Sequence, residues 1–115
     1  LGAKSTYYVA ESYFKQNDLK NAETWANKVI NQTPTHDYWL AKSYLLIADV
    51  FFAQNDFFNA KATLQSIIDN YKRDDDIKPA AQEKLQTVMA KENEQSKVTP
   101  ESEQLEEEKP APNEQ

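Results

Sequence analysis

Carboxylates are the side chains with the most obvious chemical potential in this chain, which has one histidine and no cysteine. Glu11 and Asp49 hold matching places in two similar stretches of sequence. A carboxylate pair can act as general acid and base, but only in a desolvated pocket with a positioned partner, and neither a nucleophile nor a phosphate-binding loop accompanies these two. The pair therefore reads as surface charge. His36 stands in a connecting stretch beside Pro34 and Asp37, with no cysteine to join it in a metal site, and is expected only to start a helix. Asp74-Asp75-Asp76 has the charge density of a calcium-binding loop but lacks the glycine and the distal glutamate that such a loop needs at fixed spacing. Capping a helix and complementing its dipole account for the run. A single glycine leaves no room for a glycine-rich phosphate loop, and the lack of cysteine excludes a disulfide framework or a thiolate metal site. No catalytic residue, metal or cofactor is expected.

The elements that position these side chains come from an internal repeat, which governs the fold wherever it occurs. Ala3-Lys4-Ser5 returns as Ala41-Lys42-Ser43, Ala10 as Ala48, Phe14 as Phe52, Gln16-Asn17-Asp18 as Gln54-Asn55-Asp56, and Asn21-Ala22 as Asn59-Ala60, all at the offset 41 − 3 = 38. Ten of the twenty positions from Ala3 to Ala22 are identical in the copy, where unrelated chains of ordinary composition would share roughly one or two. Each unit reads as two helices. Val9, Ala10 and Tyr13 recur at helical spacing, as do Leu19, Ala22, Trp25, Ala26, Val29 and Ile30. In the second unit the same stripes are Tyr44, Ile47, Ala48 and Phe51, then Phe57, Ala60, Leu64, Ile67, Ile68 and Tyr71. Asn17 and Asn55 can take the left-handed conformation that closes a helix, while Asp18 and Asp56 can accept the free amides that open the next. Pro34 breaks the chain between units. A third stripe, Ile77, Ala80, Ala81, Leu85, Val88 and Met89, predicts a closing helix over about 76–95, with Pro79 in its first turn.

With 115 residues, 39% of them apolar, the chain can form one domain. Nineteen acidic against thirteen basic residues give a net charge of −6, and the basic residues are not segregated, so nucleic acid is excluded as a partner. The longest apolar run, Tyr44 to Ala53, is interrupted by Asp49 and is shorter than the ~20 residues of a membrane span. From residue 97 to 115 the sequence is rich in Glu and Pro and nearly free of apolar residues, which predicts a disordered acidic tail. An opening at Leu1-Gly2-Ala3, with no initiator Met and no leader pattern, is what a processed product or an excised fragment would show.

The units resemble tetratricopeptide repeats. The family's small residue on the first helix is matched by Ala10 and Ala48, the aromatic one turn later by Tyr13 and Phe51, the small residue on the second helix by Ala22 and Ala60, and the closing proline by Pro34. The sequence departs from the pattern in its 38-residue period, against about 34 in the family. It departs also at Asn17 and Asn55 in place of glycine, at the small Ala26, and at Lys72 in place of a second proline. A lengthened repeat is familiar in bacterial cell-envelope members. The resemblance covers Ala3–Lys72 and implies an all-α, right-handed solenoid of antiparallel helix pairs: repeat 1 over about 3–34, repeat 2 over about 41–72, a capping helix, and a helical domain ending near 96.

The first helices of such repeats line a concave groove. Carried over residue by residue, that groove consists of Lys4, Tyr7, Glu11, Phe14 and Lys15 from the first unit with Lys42, Leu45, Asp49, Phe52 and Ala53 from the second. Some family members grip a terminal carboxylate with Asn and basic side chains. Glu11 and Asp49 stand at the place of a key Asn and would repel it, so the resemblance implies a protein or peptide partner of basic or mixed charge with an apolar anchor. Further repeats upstream are expected, because about three are needed for a stable stack. The alternative role is a structural spacer that associates with itself through the end of the stack.

Overall fold

Asn17 and Asn55 have φ of 63° and 61°, the left-handed conformation in which a short amide side chain is tolerated. Each ends one helix and lets the next fold back. Asp18 and Asp56 then accept the amides of Asn21 and Asn59, both at 3.2 Å, and receive the side-chain amides of the same residues at 2.8 Å. The structure, a computed structural model, describes the backbone of residues 1–108 and the side chains of residues 1–97. It contains five helices, α1 (Ala3–Lys15), α2 (Leu19–Ile30), α3 (Asp37–Ala53), α4 (Phe57–Asn70) and α5 (Ile77–Glu108), and no strand among the described residues.

Helices pack with their neighbours in sequence, and α1 also meets α3 as α3 meets α5. Two apolar clusters result. Tyr7, Ala10, Ala26, Val29, Leu46 and Ile47 fill the space between α1, α2 and α3, whereas Leu45, Ala48, Ala60, Leu64, Ile77, Ala81 and Val88 fill that between α3, α4 and α5. Phe51 touches both. Ala10, Ala22, Ala26, Ala48 and Ala60 are almost wholly buried, and their small side chains let neighbouring helices approach closely.

The repeat register persists into α5. Ile77, Ala81, Lys84 and Val88 each fall 38 residues after Trp39, Ser43, Leu46 and Val50 of α3, of which Trp39 and Leu46 pack on the first unit and Ser43 and Val50 are buried. Helix α5 is therefore the first helix of a third unit. The face by which α3 receives α5 and α4, formed by Ala41, Leu45, Ala48 and Phe52, corresponds on α5 to Pro79, Glu83, Gln86 and Ala90. That face offers little apolar area to another helix. Helix α5 outruns the expected limit near 95: its backbone is helical through 108, where Glu and Gln, good helix formers, take over from the apolar stripe. Of the expected disordered tail over 97–115, residues 109–115 lie outside the described residues.

Ser43 is completely buried, and its hydroxyl has no hydrogen-bond partner among the described residues. The equivalent position on α5 is Ala81. Replacing an unpaired buried hydroxyl by hydrogen removes a desolvation cost, so Ser43→Ala should raise stability by about 1 kcal/mol. At Asn55 the opposite holds: Asn55→Val forces a branched side chain into positive φ and should lower stability by roughly 1–2 kcal/mol. Urea denaturation followed by circular dichroism checks both, and a Ser43→Ala variant of lower stability would mean that the hydroxyl holds structure in place.

Candidate functional site

The first helices of the three units, α1, α3 and α5, share one face of the stack, and the residues expected in the groove are distributed along it in three different states. Lys4 and Lys15 are exposed; Glu11, Phe14, Lys42, Asp49 and Phe52 are half-buried. Tyr7 and Leu45 are each only 5% exposed and are corrected from groove lining to core. Tyr7 is roofed by Trp39 and Tyr8, and Leu45 lies in the cluster that α5 covers.

Two groups of these residues are brought together. At the start of α3, the Lys42 ammonium rests 5.4 Å from the centre of the Tyr7 ring, a distance at which the negative face of the ring attracts a cation. Burial, with the nearby charges of Glu11 and Asp49, pushes the Tyr7 hydroxyl well above its ordinary value. At the α3–α5 seam, both oxygens of Asp49 accept from the Lys84 ammonium, at 3.0 and 2.9 Å. Beside this pair lies a cleft of about 390 Å³ lined by Ala48, Phe52, Leu64, Ala80 and Val88, with Glu83, Lys84 and Thr87 at its edge. An apolar side chain can sink into it while its neighbours meet charge. Glu11 pairs instead with Lys15 one turn on, at 3.8 Å. Phe14 packs on the first cluster, and the Phe52 ring lies 5.9 Å from Phe57, so both phenylalanines are partly spent on packing.

The sequence reading did not include Lys84, Thr87, Tyr8, Tyr38 or Trp39 among the site residues. Lys84 was within reach, since 84 − 46 = 38 puts it where the second unit has Leu46. The aromatic contact across α1 and α3 had no such signal, because Tyr38 and Trp39 have no aromatic counterparts one period earlier.

The acidic run works as capping, as expected. Asp75 accepts the Ile77 amide at 3.1 Å and the Tyr71 hydroxyl at 2.6 Å. Desolvation opposes its ionisation, but those two donors and Arg73 outweigh it and hold the carboxyl below its usual range. Burial and the bond to Asp75 push Tyr71 up to about 12. His36 directly precedes α3 and makes no side-chain capping bond. Among the described residues no group of His, Cys, Asp and Glu is arranged to hold a metal ion, and no helix is long and apolar enough to cross a membrane. A larger cleft, about 620 Å³, opens between the start of α3 and the end of α4, lined by Leu40, Tyr44, Ile67 and Tyr71 with Lys72 and Arg73, and none of the expected groove residues lines it.

A family model described as a tetratricopeptide repeat-like domain matches residues 2–111. Searches of curated proteins and of solved structures give no significant match.

Burial lifts the Asp49 carboxyl above its ordinary value, and Lys84 and Lys42 pull it back only in part. A carboxyl raised in the folded state favours folding while protonated, and this advantage fades as pH rises through its folded value. Above that value, ionised Asp49 depends on Lys84 to offset the cost. Lys84→Met, which keeps the apolar stem, should therefore lower stability by about 0.5–1 kcal/mol at pH 7, and the loss should shrink towards zero near pH 3 as Asp49 becomes neutral. Urea midpoints at the two pH values measure this; an equal loss at both would show that packing, rather than charge, couples the two helices.

Proposed function

Because the chain belongs to the tetratricopeptide repeat-like domain family, whose members are typically non-catalytic scaffolds for protein–protein interaction, we propose that it holds a segment of a partner protein against the face shared by α1, α3 and α5. The observation that supports this most directly is the α3–α5 cleft, with its apolar floor of Phe52, Leu64 and Val88 beside the Asp49–Lys84 pair. An apolar anchor entering that cleft loses water on the scale of a side chain, worth ~1.5–3 kcal/mol when burial is complete. The charged row of Lys4, Glu11, Lys15, Lys42 and Asp49 selects by charge which segment lies alongside it. A segment of mixed or positive charge fits a chain of net charge −6.

The folded unit in this reading comprises the two helix pairs and the apolar-striped part of α5, within residues 1–96. Repeat scaffolds of this size have few fixed polar groups with which to do chemistry, and the stacked first helices offer complementarity over a length rather than one enclosed pocket.

The test is capture of a partner from extract of the source organism by the unmodified chain, set beside a variant carrying Glu11→Lys, Lys15→Glu and Lys42→Glu. These side chains are at least partly solvated, so helicity by circular dichroism should be unchanged. A specific partner should bind the unmodified chain at least roughly tenfold more tightly, a difference of about 1.4 kcal/mol. Equal retention by both proteins would move the binding surface to the stack's end, its outer side or the acidic segment, and the groove assignment would fall.

A further inference from the structure

Four aromatic rings from two units meet at the junction of α1 and α3. Tyr7 lies 5.4 Å from Tyr8 and 5.6 Å from Trp39; Tyr8 lies 5.8 Å from Trp39, and Tyr38 stands 5.0 Å from Trp39 at 89°. Packing explains Tyr7, which is buried, but not Tyr8, which stays 48% exposed. Tyr38 and Trp39 are half-buried. The cluster also has an acidic neighbour from the third unit, since the Tyr38 hydroxyl donates to Asp76 at 3.2 Å. Partly exposed aromatic rings beside a carboxylate can make a place for a cation, and the innermost ring already has one in Lys42. No cation lies over the outer ring, Tyr8, among the described residues. Lys4, one turn before Tyr8, is exposed and makes no ion pair there.

We propose that Tyr8, Tyr38 and Trp39, with the Asp76 carboxylate, form a subsite for an arginine side chain of a basic partner segment. Arginine fits better than lysine because its planar guanidinium stacks on a ring while its edge reaches a carboxylate with two donors. An acidic or carboxylate-terminated segment would meet Asp76 and is rejected. This inference rests on the reading of the α1–α3–α5 face as the binding surface and names what one end of that face accepts. The other end, at the α3–α5 cleft, takes the apolar anchor, so a fitting segment carries both residue types.

The probe is the peptide acetyl-Gly-Leu-Arg-Leu-Arg-Gly-amide, titrated into the full chain with amide chemical shifts and tryptophan fluorescence as readouts. Its control has citrulline, the neutral isostere, in place of each arginine. Two variants accompany the unmodified chain: Tyr8→Ala, which removes an exposed ring, and Asp76→Asn, which keeps a side chain suited to the start of α5. The arginine peptide should bind saturably and perturb the resonances of Trp39, the citrulline peptide should bind at least roughly tenfold more weakly, and each variant should weaken the arginine peptide by roughly three- to thirtyfold, the range of a cation held over an aromatic face. Absence of saturable arginine-peptide binding, or equal binding of the two peptides, overturns the subsite. Arginine-peptide binding that survives in Tyr8→Ala and Asp76→Asn but is lost on Glu11→Lys also overturns it, while leaving the groove as the binding surface; failure of the groove itself is read separately, from the natural partner's indifference to the groove charges.

Discussion

Helix α3 carries apolar side chains around most of its circumference, and a helix of that kind is stable in water only when other elements cover it. Leu46 and Ile47 turn to the first unit, Leu45 and Ala48 to the fourth and fifth helices, Phe51 touches both clusters, and Val50 is buried. The first helix pair alone would leave Leu45 and Ala48 wet; the second pair alone would expose Leu46 and Ile47. Both flanks are therefore required, which is why two cores form around one central helix. Lys42 and Asp49, on the side of α3 between these two cores, stay half-buried, and Asp49 is held by Lys84 of α5.

Because α5 repeats the register of α3 but not its chemistry, it closes this arrangement. Its Ile77, Ala81 and Val88 fill the places of Trp39, Ser43 and Val50, whereas its other face is polar at Glu83 and Gln86. Lys84 replaces Leu46 at the same register and draws Asp49 into an ion pair, where the first seam has an apolar contact. The two seams of the shared face consequently differ: one is aromatic, the other charged with an apolar cleft.

Small differences between equivalent positions carry most of this asymmetry. Tyr7 and Leu45 share a register, yet the first is roofed by aromatic rings and the second by an aliphatic helix face. Ser43 and Ala81 both permit close helix approach, at the cost of an unpaired hydroxyl in only one of them. The helix turns, by contrast, are the same in both units, with Asn17 and Asn55 in the same conformation and Asp18 and Asp56 making the same bonds. Turn geometry is shared because it fixes how a unit folds, whereas seam chemistry differs between the units.

The sequence by itself determined the parts of this protein that depend on local rules. The 38-residue offset, the apolar periodicity and the Asn-Asp turns specified the helix pairs and the family, because each turn and stripe is decided within a few residues of chain. Only the tertiary structure decided which of the expected groove residues remain accessible, since burial of Tyr7 and Leu45 depends on Trp39 and α5, which arrive from distant sequence. The Asp49–Lys84 pair spans 35 residues and the Tyr38–Asp76 bond spans 38. Contacts of that separation are set by how helices stack, and residue types alone do not encode the angle at which a half-buried side chain meets its neighbour.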